Sequence, residues 1–238
     1  MTAEVFFHQF IEKMKETNKE GNQTYLEIYK GKPCDPFTNL MNGNMIPEIL
    51  TNDNTSDEVS CGLEKGEKVK DTYQKASAKD VRAIKCSHEY FRLDVAAWCN
   101  RTLLAEPGKT DLQAKSGLKY HLWELRAAVE HENNETDWTD ELIKLCQLKC
   151  PLKIVIGYAL YSDRDGSREA GTGDYAKLLY AEQLIHSLSD YFQPHQEEFL
   201  IILGNCGKEC DTNYDKFDYR GYLYNCDTHR FDRLEIEN

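Results

Sequence analysis

The chain has 238 residues, of which 40% are hydrophobic, enough apolar side chain to fill the core of one large domain. No apolar run approaches the roughly eighteen consecutive residues that a membrane helix needs, so we expect no membrane partner. The amino-terminal segment lacks the basic and apolar regions of a secretory signal. Because the cysteine count is also odd, at nine, we expect reduced thiols and a cytoplasmic location.

The formal net charge of −12 is unevenly distributed. Residues 64–119 carry +4 and the rest of the chain carries −16. Affinity for a phosphate backbone depends on Lys and Arg, so the middle segment is the candidate for a positive rim facing nucleic acid. A solvated helix face explains the same spacing equally well. The basic residues in question are Lys65, Lys68, Lys70, Lys75, Lys79, Arg82 and Lys85.

Helical patterns dominate the amino-terminal part of the chain. Apolar residues at helical spacing predict a helix over residues 3–20, followed by a loop that extends to Pro36. A second helix is predicted over residues 37–50, interrupted near Gly43 and Pro47. Residues 51–64 are polar and predict a surface loop.

The middle of the chain predicts two strands, a helix and a further strand. The apolar run after the helix is typical of a central strand that is covered on both faces. The helix would then be a crossover that returns the chain parallel to the strand before it. The predicted strands cover residues 89–98, 118–132 and 152–158, the helix covers residues 138–148, and residues 80–86 form a short strand or a helix end.

The carboxyl-terminal part adds a helix and further strands. We predict a loop over residues 162–173, a helix over 174–192, a strand over 198–203 and a hairpin formed by 219–224 with 231–236. The fold class is therefore α/β, with a mixed central sheet flanked by helices in a single domain over residues 1–238.

Three acidic residues lie among these predicted strands. Glu130 and Glu132 project from the same side of their strand, because side chains alternate with period two, whereas His131 points to the opposite face and is expected to be packed or exposed. If the strand of Asp94 lies beside them, the three carboxylates converge and require a hard cation such as Mg²⁺ or Mn²⁺. Phosphodiester hydrolysis uses this chemistry. Alternatively, the acidic pair is the solvated start of a loop.

Asp94 on one strand, Glu130-x-Glu132 on the next, and then a helix and an apolar strand resemble the PD-(D/E)xK nuclease superfamily. The resemblance implies a restriction endonuclease-like core over residues 37–160, with an amino-terminal helix and loop (1–36) and a carboxyl-terminal helix and strand extension (161–238). It also implies DNA cleavage that depends on Mg²⁺ or Mn²⁺. Asp94 and Glu130 would be metal ligands, Glu132 would hold a water or a second ion, and a homodimer would cut both strands.

The chain departs from this family pattern at two positions. Leu93 replaces the usual Pro before the Asp, and Glu132 replaces the usual Lys. A lysine from elsewhere could compensate, and the candidates are Lys144, Lys119 and Lys153. Glu48 resembles the accessory acid that some members place on the first core helix, where it would be a further metal ligand. The alternative for Glu48 is an exposed helix carboxylate.

Two other classes of function remain open. A catalytically silent member of the same fold would bind nucleic acid or protein, and an acidic DNA mimic would bind a basic protein partner. Cys206 and Cys210 are spaced more widely than in zinc knuckles, so zinc binding and loop packing both remain open for them.

Overall fold

The structure is a computed structural model. It describes residues 1–17, 35–51, 85–90, 93–100, 123–132, 138–188, 196–208 and 217–236. Within these ranges, strands and helices alternate largely as the hydrophobic periodicity predicts. Along the chain the elements are α1 (Ala3–Thr17), α2 (Asp35–Leu40), a π-helical turn (Met41–Met45), α3 (Ile46–Thr51), β1 (Lys85–Tyr90), β2 (Leu93–Asn100), β3 (Trp123–His131), α4 (Trp138–Cys146), β4 (Leu152–Leu160), a 3₁₀ turn (Tyr161–Asp163), α5 (Asp174–Ser187), β5 (Glu198–Cys206), β6 (Arg220–Asn225) and β7 (Arg230–Arg233).

The strands of the described residues form one mixed sheet in the order β1-β2-β3-β4-β5-β6-β7. β3, β4 and β5 are parallel, and the pairs at both ends of the sheet are antiparallel. The predicted mixed sheet flanked by helices is therefore confirmed, as are the crossover between β3 and β4 and the terminal hairpin of β6 and β7.

One predicted strand was wrong. The sequence pattern favours a single strand over residues 89–98, but Tyr90 ends β1 and pairs with Leu93, which begins β2. β1 and β2 are therefore two antiparallel strands and not one continuous strand. The two residues between them, Phe91 and Arg92, carry none of the Gly, Asn or Asp signals that mark two-residue hairpin loops, so the pattern could not reveal the reversal.

Helices α4 and α5 cover one face of the sheet. Leu142 of α4 and Leu178 of α5 join one apolar cluster with Val155 and Ile201 from the central strands. Both helices are crossovers between neighbouring parallel strands, and the strand order advances in one direction. Crossovers of one hand must then place both helices on the same face.

The amino-terminal helices cover the opposite face. Phe6 and Phe10 of α1 and Ile49 of α3 pack on Ile154 and on other residues of the same cluster. Gly221 in β6 permits the close approach of α1, because a Cβ at this position would lie 2.8 Å from the ring of Phe7. None of the helices in the described ranges is long and apolar enough to cross a bilayer.

Candidate active site

The carboxylates of Asp94 and Glu130 meet where β2 begins and β3 ends. Val95 and Val129 form the nearest ladder pair, with Asp94 just before it and Glu130 just after it. The backbone N–H of Asp94 donates to Glu130 Oε2 at 3.2 Å, and the backbone N–H of His131 donates to Asp94 Oδ2 at 2.7 Å. Each carboxylate thus accepts a hydrogen bond from the backbone of the other strand, which fixes both side chains at one end of the strand pair.

Helix α4 brings a lysine to this pair. Lys144 Nζ lies 2.7 Å from Glu130 Oε1, and the same ammonium contacts Glu141 Oε2 one turn earlier in the helix. The side chain of Glu130 is 1% exposed, while that of Lys144 is 35% exposed. Among the three lysines that the sequence offers, Lys144 is thus the one that the described structure joins to Glu130.

The other two lysine candidates lie elsewhere. Lys153 is fully buried in β4, and its Nζ lies 2.7 Å from Glu197 Oε2. Lys119 lies outside the described residues. The predicted basic rim also lies largely outside them, because only Lys85 falls within a described strand and its side chain is not described.

The cluster around Glu130 perturbs two ionisable groups. Burial raises the pKa of Glu130 to about 8, helped by the charges of Glu141 and Asp94 and opposed by Lys144. Burial alone would lower the pKa of Lys144, but the two carboxylates beside it raise the pKa overall. The result is a firmly cationic lysine next to a carboxyl group that gives up its proton only reluctantly.

Glu132 and Glu48 were the other predicted acidic ligands. Glu132 is half-buried directly after β3, and its backbone N–H donates to the carbonyl of Ile156 at 2.9 Å. Glu48 lies on α3, where its Oε1 is 2.7 Å from Lys13 Nζ of α1, and its side chain is 46% exposed. The packing of α1 and α3 places this pair on the face of the sheet opposite α4. The metal roles of both glutamates stay predictions.

The side chain of His131 lies on that opposite face, as the alternation of β3 predicts. It is buried, and its two ring nitrogens contact Asn42 Oδ1 at 3.1 Å and the Tyr158 hydroxyl at 3.0 Å. Burial lowers the pKa of His131 to about 3, so the ring is neutral near pH 7. Sequence reasoning missed Asn42, Tyr158 and also Glu141. The available signals were Tyr158 within an aliphatic strand and the three-residue spacing from Glu141 to Lys144.

The donor chemistry of the site suits a hard divalent cation. Carboxylate oxygens are the preferred ligands of Mg²⁺, and Glu130 Oε1 is a buried oxygen whose partner is the Lys144 ammonium, in an ion pair. Over the ranges that the structure describes, however, no three His, Cys, Asp or Glu side chains form a metal-binding group. The fit therefore rests on Asp94 and Glu130.

The zinc alternative involves one described cysteine. The Cys206 thiol donates to the carbonyl oxygen of Ala159, with Sγ 3.3 Å from that oxygen. Cys210 lies outside the described residues, so a zinc site at this pair stays an open alternative.

Comparisons of the chain with protein-family models, with curated proteins and with solved structures find no match.

Proposed function

We propose that the protein is a metal-dependent nuclease with a restriction endonuclease-like core that hydrolyses phosphodiester bonds in DNA. One observation carries the proposal: Asp94 and Glu130 meet across adjacent strands, and Lys144 reaches Glu130 from the following helix. A buried and a half-buried acidic side chain with a lysine beside them have the charges that phosphoryl transfer needs. The order of elements along the chain, β2, β3, α4 and β4, supports the resemblance to the PD-(D/E)xK nuclease superfamily.

Asp94 and Glu130 would hold Mg²⁺ or Mn²⁺, which when bound polarises a phosphoryl oxygen and lowers the pKa of an attacking water. The backbone donors at Asp94 and His131 orient the two carboxylates before any ligand arrives. Such preorganisation removes reorganisation from the reaction itself. Glu132 would orient the water, in keeping with its place after β3.

Lys144 would take the part of the lysine that Glu132 replaces. Its ammonium carries the proton and the positive charge that stabilise negative charge on the phosphate. Glu141 holds this ammonium near Glu130 from the preceding turn of α4. Because Lys144 is partly exposed, its side chain can reach a phosphate bound outside the cluster.

A second candidate is a catalytically silent binding protein on the same fold. The favouring observation is that Lys144 already contacts both Glu130 and Glu141, so the chain's own cation occupies the place beside these carboxyl groups. The partner would be nucleic acid, or a basic protein that is attracted to the acidic remainder of the chain.

Cleavage assays separate the two candidates. Purified full-length protein is incubated with supercoiled plasmid and with single-stranded DNA in Mg²⁺, Mn²⁺ or no added metal. The variants are Asp94→Asn, Glu130→Gln and Lys144→Met, and the matched control is Glu12→Gln, which removes an exposed carboxylate from α1. We expect metal-dependent cleavage that the three site variants abolish and the control retains.

Equal cleavage by wild type and Glu130→Gln would refute the site assignment. Calorimetric titration with Mn²⁺ then distinguishes the alternatives. Ion binding without turnover favours the silent protein, and absence of ion binding removes the support for both versions of the site.

A further inference from the structure

Four buried polar side chains form a continuous hydrogen-bonded chain on the sheet face opposite Lys144. His131 Nδ1 lies 3.1 Å from Asn42 Oδ1, and His131 Nε2 lies 3.0 Å from the Tyr158 hydroxyl. The Tyr158 hydroxyl in turn lies 3.1 Å from the hydroxyl of Tyr219. All four residues are buried, with exposures from 0% for Asn42 to 5% for Tyr219.

These hydrogen bonds join β3, which carries His131, to three other parts of the fold. Asn42 belongs to the π-helical turn between α2 and α3, Tyr158 belongs to β4, and Tyr219 immediately precedes β6. With Asn42 Oδ1 facing the ring, Nδ1 carries the proton and donates, while Nε2 accepts from the Tyr158 hydroxyl. Both ring nitrogens are engaged, so the plane and the tautomer of the imidazole are fixed together.

The main chain of the same residue contacts the acidic site. The backbone N–H of His131 donates to Asp94 Oδ2 at 2.7 Å, and Glu130 is its neighbour in the sequence. His131 therefore has its ring in the buried polar chain and its backbone donor on a carboxylate of the acidic site. Any rotation of the ring that displaces the backbone of β3 must also displace the donor that holds Asp94.

Packing alone does not require this arrangement. Phe37 lies beside the imidazole, with ring centroids 5.6 Å apart, and the surrounding cluster is otherwise apolar. Burying hydroxyl, amide and imidazole groups costs free energy that apolar side chains of similar shape would not incur. A series of buried hydrogen bonds does, however, specify one geometry more sharply than an apolar core does.

We infer that His131 is a positioning residue, and that its hydrogen bonds to Tyr158 and Asn42 set where the backbone N–H of His131 holds the Asp94 carboxylate. The geometric part of this inference concerns only these hydrogen bonds and requires no metal. Its consequence for metal binding rests on the proposed function, because it takes Asp94 as a ligand.

Tyr158→Phe tests the inference by removing one hydroxyl. The matched control is Tyr224→Phe, which also removes a hydroxyl from a mostly buried tyrosine, one whose partner is His229. The full-length ¹⁵N-labelled protein is measured without metal, and the readouts are the ring ¹⁵N shifts and the amide ¹H shift of His131. We expect Tyr158→Phe to shift the ring Nε2 signal, because this nitrogen loses its hydrogen-bond donor, and to move the amide signal upfield, as the bond to Asp94 lengthens. Tyr224→Phe should change neither.

Mn²⁺ titration supplies the second readout. The dissociation constant should rise about tenfold in Tyr158→Phe, the size typical of losing an outer-shell partner of a metal ligand. His131→Gln, which keeps a polar group able to reach Tyr158, should bind Mn²⁺ more tightly than His131→Leu does. Both variants lose the imidazole ring and its packing in the core. Tighter Mn²⁺ binding by His131→Gln would therefore come from its hydrogen bonding to Tyr158 and not from the filling of space.

Unchanged ring and amide shifts of His131 in Tyr158→Phe would overturn the inference, as would equal Mn²⁺ affinity of His131→Gln and His131→Leu. If wild type binds no Mn²⁺, the proposed function fails and the His131 shifts alone decide the positioning role. If circular dichroism shows that Tyr158→Phe is unfolded, a second NMR measurement replaces the one on that variant. It compares the amide shifts of Asp94 and Glu130 in His131→Gln with those in wild type. Native-like values there support the inference, and values equal to those of His131→Leu contradict it.

Discussion

Lys144 Nζ lies 2.7 Å from Glu130 Oε1, so an ion pair joins the last turn of α4 to the end of β3. The two partners differ in their surroundings, because Glu130 is almost fully buried and Lys144 is partly exposed. Glu141 contacts the same ammonium from one turn earlier. Lys144 therefore provides positive charge beside a carboxyl group that water scarcely reaches.

Replacing Lys144 with Met should destabilise the protein and raise the pKa of Glu130 further. The variant leaves a buried carboxyl without the neighbouring cation that opposes its high pKa. Removing one partner of a buried pair is costly, but Lys144 is more than one-third exposed and solvent screens it, so we expect about 1–2 kcal/mol. Urea unfolding measures the change. Lys149→Met, an exposed lysine just after α4, is the control, and equal losses in both variants would contradict the ion-pair role.

The stability of the protein should fall with rising pH because of Glu130. The folded carboxyl keeps its proton up to a pKa of about 8, above the ordinary value of 4.5, since burial disfavours its charged form. Its contribution to the free energy of unfolding is therefore complete below pH 4.5 and is lost as the pH rises through 8. Urea unfolding at pH 5, 6.5 and 8 should show that the free energy of unfolding of Glu130→Gln increases relative to that of wild type as the pH rises.

The matched control for this pH series is Glu12→Gln, at an exposed position on α1. Its difference from wild type should stay constant over the same range. A constant difference for Glu130→Gln as well would show that the carboxyl has an ordinary pKa in the folded protein.

The sequence predicted that Asp94 and Glu130 lie on strands, because apolar neighbours define the strands, and it predicted a meeting of the two carboxylates only if those strands are neighbours. It could not choose among the lysines. Lys153 lies in the neighbouring strand β4, but its ion-pair partner is Glu197, which lies just before β5. The pairing of Lys144 with Glu130 depends instead on how α4 docks on the sheet, which no local pattern encodes.

The buried chain at His131 was equally hidden. Alternation along β3 predicts which face the ring occupies, and this part is confirmed. Its partner Asn42 lies in a π-helical turn, whose wider winding breaks the 3.6-residue periodicity from which helix faces are read. The contact between Asn42 and His131 spans 89 residues of sequence, so only the assembled fold brings the two side chains together.

Gly157 lies directly against Trp138 of α4, and Gly157→Ala should destabilise the protein. A Cβ at this position in β4 would lie 3.3 Å from Trp138 Cγ, tighter than ordinary van der Waals contact. Overpacking of this kind costs about 1–3 kcal/mol. Gly43→Ala is the control, because a Cβ there meets nothing within 4 Å and alanine favours helix, so it should be neutral or stabilising by about 0.5–1 kcal/mol. Urea unfolding of both variants checks the prediction, and equal effects would show that α4 can shift without cost.

Asp174 anchors the amino terminus of α5 to β6, and Asp174→Asn should be strongly destabilising. Its fully buried carboxylate contacts Arg220 through Nε and, at 3.0 Å, through Nη2, and it accepts a hydrogen bond from the Tyr222 hydroxyl at 2.7 Å. The substitution keeps the shape of the side chain but leaves the guanidinium buried without its main counter-charge, which costs about 3 kcal/mol or more.

Thermal and urea unfolding measure this effect, with Asp227→Asn as the control at an exposed turn position. We expect a large loss for the first variant and none for the second. Near-wild-type stability of Asp174→Asn would mean that Asp165 and Asp218, which also lie within 4 Å of the Arg220 guanidinium, hold it without Asp174. The cluster would then tolerate the loss of its buried carboxylate, and the anchoring role of Asp174 would be wrong.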